Sequence, residues 1–175
     1  MSRPVVLVPY DPAWPRLASE EAARIARALG DELIAIHHIG STAVPGIKAK
    51  PILDFLGVVR RLLFFDETPS VLEALDYKAR GEMGIPRRRY FSKSANGPRT
   101  HHVHFFEIGD PNIDRHLQFR DYLIAHPDVA SEYESLKEGL SRRFPTDITA
   151  YTDAKSDFIQ AAEKAAARWR EAASA

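Results

Sequence analysis

Three short stretches carry residue types that could handle phosphate or a metal ion. The first is Gly40-Ser41, at the end of a strand-like run. Where such a turn opens a helix, free backbone N–H groups and a serine hydroxyl can hold phosphate oxygens, and glycine lets the phosphate come close to the backbone. The second is Asp54, separated from Ser41 by twelve residues and set in a run of Pro, Ile, Leu, Phe, Gly and Val. An ionised carboxylate there needs something to offset its desolvation: Mg²⁺ arriving with a nucleoside triphosphate, a basic side chain, or backbone N–H groups. The third is HHVHFFE, residues 101–107. In a strand, His102, His104 and Phe106 share one face, while His101, Val103, Phe105 and Glu107 share the other. His-x-His offers two metal or phosphate contacts, and each imidazole can move a proton. Two histidines do not complete a metal site, and Asp54 from a neighbouring strand could be the third ligand. The alternative is an edge strand whose histidines hydrogen-bond to loops.

Basic residues flank these stretches. Lys48 and Lys50 could neutralise a phosphate or stay solvated. Arg87, Arg88 and Arg89 could clamp an anion, because a guanidinium pairs bidentately with phosphate or carboxylate. Tyr151 and Lys155, four apart, lie on one side of a helix and either face the site or pack.

The elements that must position these residues follow from periodicity and turn signals. Residues 5–8 form a β-branched run closed by Pro9. Residues 14–29 repeat apolar side chains at helical spacing up to Gly30. Residues 33–39 and 51–59 read as strands, the second apolar enough to be central and covered on both faces. Residues 42–50 are a loop or short helical turn interrupted by Pro45-Gly46. A helix is expected at 69–75, a strand at 77–79, and a further strand at 102–107. Helices follow at 115–125, 129–143 and 153–170. The pattern is one α+β domain over residues 1–175, with strands in the first two-thirds and a helical C-terminal part.

Composition bounds the function. The chain has 175 residues, 45% hydrophobic and 27% charged, as globular proteins do. Lys plus Arg and Asp plus Glu both number 24, so no bulk charge favours nucleic acid or an anionic membrane. There is no cysteine, which excludes disulfides and thiolate metal sites. No apolar run reaches the roughly 18 residues of a spanning helix and no signal-peptide pattern opens the chain, so the expected location is cytoplasmic, with no membrane partner. The oligomeric state is left open.

Residues 37–59, HHIGSTAVPGIKAKPILDFLGVV, resemble the signature of the GrpB family. The likeness continues in VPYDPAW, GIPRRRYFSK, HVHFFE, HLQFRDYLIAHPDVASEYESLK and YTDAKSDFI, in order and over essentially the whole chain. That family is grouped with the DNA polymerase β-like nucleotidyltransferases. The resemblance implies a nucleotidyltransferase-like mixed β-sheet flanked by helices, with Gly40 and Ser41 in the first strand-to-helix turn and Asp54 as the carboxylate of the next strand. It implies a protein that binds a nucleotide or other phosphorylated ligand with Mg²⁺ or another divalent metal. Transfer of a nucleotidyl group to a small acceptor is the expected activity, and a non-catalytic ligand-binding or protein-interaction module is the alternative. On this reading Gly40, Ser41, Lys50 and Arg89 hold the phosphates, while Asp54, His102 and His104 ligate metal and act in catalysis. Some relatives carry the same unit fused to dephospho-CoA kinase, a pointer to nucleotide or coenzyme metabolism.

The chain departs from the superfamily at one telling position. Active nucleotidyltransferases carry Asp-x-Asp or Asp-x-Glu on the second strand, so that two carboxylates hold two metals. Here Leu56 occupies the second place. Either His102 and His104 replace that carboxylate, or the chain binds its ligand without transferring it. Asp76 and Arg87 stand where GrpB proteins have glycine.

Overall fold

A computed structural model describes residues 4–95 and 97–174. Five strands form the sheet: β1 (Leu33–Ile39), β2 (Leu53–Val59), β3 (Tyr77–Ala79), β4 (Arg89–Ser94) and β5 (Arg99–Glu107), in the order β1-β2-β5-β4-β3. β2 and β5 are parallel and the other neighbouring pairs antiparallel, so the sheet is mixed. β2 is central, as its apolar run requires, and Asp54 is its only residue that is not buried.

One face is covered by α1 (Trp14–Leu29), whose buried Trp14, Ala18, Glu21, Ile25 and Leu29 recur at three- to four-residue steps around the helix. The apolar ones pack with Phe55, Val59, Phe91, Val103 and Phe105. Gly57 makes that packing possible: a Cβ there would fall 2.3 Å from the Phe105 ring. The opposite face carries α3 (Pro111–Ala125), α4 (Pro127–Arg143), α5 (Ile148–Asp153) and α6 (Ser156–Ser174). Ile113 and Leu117 of α3 close over Ile39, Leu56 and Phe106. Tyr133 and Phe158 join Val44 and Ile47 in a second cluster beneath the loop between β1 and β2. This is the expected α+β arrangement, a mixed sheet flanked by helices with a helical C-terminal part.

Several elements differ from the sequence reading. Residues 5–8 form no strand; only Val8 makes an isolated bridge, to Ala49. The helix expected at 69–75 is a turn ending in a 3₁₀ segment, Glu73–Leu75, and the helix of this region is α2 (Leu63–Glu67) instead. A pattern of seven residues is too short to repay helix nucleation without tertiary help. β4 was masked by its basic, turn-flanked sequence, and tertiary pairing with β5 makes it a strand. The last helix, expected at 153–170, runs from Ser156 to Ser174, and a separate short helix, α5, precedes it, capped by Asp147, which accepts from the Ala150 N–H at 3.0 Å.

The two positions at which glycine was expected are both left-handed. Asp76 has φ 64° and Arg87 has φ 62°, a region that costs a side chain about 1–2 kcal/mol. Asp76→Gly is therefore expected to raise stability by roughly 0.5–1 kcal/mol. Arg87→Gly should gain less, because Arg87 Nε also lies 3.5 Å from the buried Asp110 carboxylate. Urea denaturation midpoints of the two variants check this, and a loss at Asp76 would contradict it.

Candidate functional site

Register brings the chemistry together. In the β2–β5 ladder Asp54 stands beside His102 and Leu56 beside His104, and β4 sets Tyr90 next to His104. With side chains alternating, Asp54, His102, His104 and Tyr90 share the face turned away from α1. His102 Nδ1 lies 2.9 Å from Asp54 Oδ1, and His104 Nε2 lies 4.0 Å from the same oxygen. Arg88 Nη1 donates to His104 Nδ1 at 3.2 Å, so a neutral His104 carries its proton on Nε2, toward Asp54. His102 donates through Nδ1 to the ionised Asp54, which leaves Nε2 of the neutral ring as an acceptor. That Nε2 is buried and has no partner among the described residues. Burial opposes ionisation of Asp54, but the hydrogen bonds from His102 and His104 outweigh it and hold the carboxyl well below the usual carboxylate range. Burial pushes His104 below its ordinary value against the pull of Asp54.

Gly40, Ser41, Lys50, Asp54, His102 and His104 all line one cleft of about 550 Å³. Gly40-Ser41 leads into only three residues of 3₁₀ helix, Ser41–Ala43, too short to present a helix N-terminus to an anion. The Ser41 hydroxyl instead accepts from Lys137 Nζ at 3.0 Å. Lys48 is paired with Glu138, whereas Lys50 points into the cleft. Arg89 lies elsewhere: its place in β4 is opposite Phe105, on the α1 face, and its guanidinium forks onto Asp66 at 2.9 and 2.6 Å. The strand alternation turns Arg88 to the cleft in its place, fixed by the carbonyls of Glu82 and Met83 at 3.0 and 2.7 Å.

The lining is strongly cationic. Lys50, Arg88, Arg99, Lys137 and Lys155 face Asp54 and Asp153 across it. Among the described residues, none of the five cations has a carboxylate within ion-pairing distance. Lys137 is buried, donating to Ser41 and to the Lys48 carbonyl at 2.6 Å, with its ammonium 4.8 Å from the Tyr133 ring centre. Lys155 and Lys50 lie 4.6 and 5.4 Å from the ring centre of the fully buried Tyr151. Burial, reinforced by repulsion from neighbouring lysines, brings Lys137 and Lys155 down to about 8. Lys50 is lowered by burial, with repulsion from Arg99, against the attraction of Asp54.

Arg99, Lys137 and Tyr133 were not singled out from the sequence. Lys137 had a signal: with Ala130, Tyr133 and Leu140 it occupies the buried stripe of α4, where a lysine is out of place unless it serves a site.

The donor set does not fit a resident divalent cation. Mg²⁺ is held by carboxylates and phosphate oxygens in octahedral geometry, and of the two carboxylates lining the cleft Asp54 is already hydrogen-bonded to His102, while Asp153 joins no group among the described residues that could hold a metal ion. Leu56, at the place of the second carboxylate, is fully buried beneath α3. Lys50 and Lys155 act on Asp54 from the same cleft. No group of three His, Asp or Glu among the described residues is arranged to hold a metal ion.

The UPF0157 protein YqkA of Bacillus subtilis (strain 168) is 45% identical to this chain over 168 residues, covering 96% of this chain and 49% of YqkA. A dephospho-CoA kinase of Mycolicibacterium paratuberculosis is 30% identical over 190 residues, covering 95% of this chain and 47% of the kinase. The chain thus spans about half the length of either protein. The crystal structure of GrpB from Enterococcus faecalis shares the fold with a TM-score of 0.89 at 37% identity, covering 94% of this chain and 99% of that one. No helix among the described residues is long and apolar enough to cross a membrane. With residues 4–165 matching the model of the family described as GrpB protein, the chain belongs to that family.

Proposed function

We propose that the cleft binds a phosphorylated small molecule of nucleotide type in the cytoplasm, with residues 1–175 working as one nucleotidyltransferase-like domain. The observation that carries this reading is the set of five cations converging on one cleft with none of them ion-paired to a carboxylate among the described residues. Buried lysines are costly unless an anion answers them, and a phosphate chain supplies several charges at once. Lys50, Lys137, Lys155, Arg88 and Arg99 take the neutralising part that the resemblance assigned to Mg²⁺. Tyr133 and Tyr151 wall the lysines and hold their orientation.

Nucleotidyl transfer is a second reading, favoured by the Asp54–His102 pair. His102 Nε2 is able to take the proton of an acceptor hydroxyl, with Asp54 holding the imidazole and stabilising the imidazolium. The acceptor oxygen would bond to the α-phosphorus as pyrophosphate leaves, the cations stabilising the departing charge. His104, kept neutral by burial, orients Asp54 rather than exchanging protons.

Calorimetric titration with ATP, CoA and pyrophosphate, each with and without Mg²⁺, tests the binding reading. At least one should bind without metal. Lys155→Ala and Arg88→Ala should weaken it about 10- to 100-fold, the range of a lost charge-assisted hydrogen bond. Arg89→Ala should leave it unchanged. Absence of binding by all three, or equal binding by the Lys155 and Arg88 variants, removes the proposal.

A further inference from the structure

Beside the cationic cleft opens a second cavity, of about 1030 Å³. The two share Lys50, Ile52, Met83, Arg99, His102 and Ile148, so they adjoin at a common wall made of these residues. Away from that wall the second cavity is lined largely by apolar side chains, among them Pro4, Val6, Pro51 and Pro98. Val6 and Met83 are 53% and 58% exposed, large hydrophobic groups left open at the rim. At the common wall sit two buried polar atoms without partners among the described residues, Arg99 Nε and His102 Nε2. The first is a donor. The second is an acceptor, because the opposite ring nitrogen serves Asp54.

Buried polar atoms ordinarily find partners, and these two call for opposite ones. A hydroxyl or a secondary amide can accept from Arg99 or donate to His102. An apolar trough running on from that point suits a chain that has shed its polar groups. We propose that the second cavity takes the apolar arm of the cleft's own ligand: a phosphate ester with its phosphate among the lysines, a hydroxyl or amide at the common wall, and an aliphatic chain along Val6, Pro51 and Pro98. This rests on the phosphate reading of the cleft and adds the substrate class. It predicts discrimination by chain length, which a site made only for a polar nucleotide does not show.

The probes are inorganic phosphate and butyl, hexyl and octyl phosphate, titrated calorimetrically below their micelle concentrations. Affinity should rise along the series, by up to about fourfold per methylene where the chain is fully buried. In Val6→Glu, an exposed position whose change does not threaten the core, the rise should flatten while inorganic phosphate binds as before. A flat series in the wild type, with phosphate still bound, overturns the arm and leaves the phosphate reading standing. An unchanged series in Val6→Glu also overturns it, since the chain then lies elsewhere. If neither phosphate nor any ester binds, the phosphate reading falls and the arm with it.

Discussion

Gly40→Ala is expected to cost about 2–4 kcal/mol of stability and to weaken anion binding in the same step. Two separate causes act at one atom. Gly40 has φ 73° and ψ −175°, a conformation that is essentially reserved for glycine and costs other residues about 1–3 kcal/mol. A Cβ added there would also fall 2.7 Å from Asp54 Oδ2 and 3.0 Å from Asp54 Cβ. Asp54 cannot simply swing aside, because its other oxygen receives His102 and its strand is the centre of the sheet. The carboxylate and imidazole must therefore shift together, and with them the floor of the cleft. Gly46→Ala is the control: φ is 85° there, but a Cβ would meet nothing within 4 Å. Urea denaturation should show Gly46→Ala losing only the backbone strain, while Gly40→Ala loses more, and pyrophosphate titration should separate the two further. Equal losses in both would mean that Asp54 accommodates the methyl group, and the tight glycine–aspartate contact would then have no bearing on binding.

Stability should rise as pH increases from about 8 to 10, the reverse of what ion-paired lysines produce. Lys137 and Lys155 titrate near 8 in the folded protein, and near 10.4 when unfolded. Below about pH 7 both states hold the proton, and the cost of burying the charge is present in full. Between 8 and 10 the unfolded chain binds more protons than the native one, so unfolding becomes less favourable as pH rises. For Lys137, the more buried, the gain approaches about 3 kcal/mol, and Lys155 contributes less because water reaches it. Tyr90 and Tyr151 are both pushed up to about 12 by burial, and because they ionise near 10 when unfolded they oppose the rise only at the top of this window. Lys137→Met should remove the larger part of the rise. Saturating pyrophosphate should remove it too, by keeping the lysines protonated. Chemical denaturation at intervals from pH 7 to 10 reads all three, and a rise that survives both changes would mean that these lysines are not the source.

Most strands and the long helices were legible because their physics is local. The apolar run around Asp54 dictates a doubly covered strand, and the period of α1 dictates one buried stripe. Asp76 and Arg87, standing where the resemblance led us to expect glycine, coincide with two left-handed residues, because a family's glycines record backbone geometry. Alternation along residues 101–107 assigned His102 and His104 to one face, which the register confirms. The same alternation, applied to β4, would have exchanged Arg89 for Arg88, but nothing local marked RYFSKS as a strand. It becomes one only by pairing with β5.

By itself the sequence determined the family, the central strand, and the strand faces that carry Asp54 and His102, because apolar runs and alternation are local; that those two side chains meet, 48 residues apart, depends on the β2–β5 pairing. Only the tertiary structure decided the charge balance of the cleft. Lys137 and Lys155 lie far along the chain from Asp54, and α4 and the turn after α5 bring them over the sheet only when the apolar faces of those helices are buried. The same packing places Leu56 under α3, where hydrophobic burial occupies the ground that a second metal-binding carboxylate would need. Lysine was visible at every position beforehand. That the lysines would be buried, close together and without ion-paired carboxylates among the described residues is a property of the packed molecule, and it is what supports the proposed reading of the cleft as an anion site.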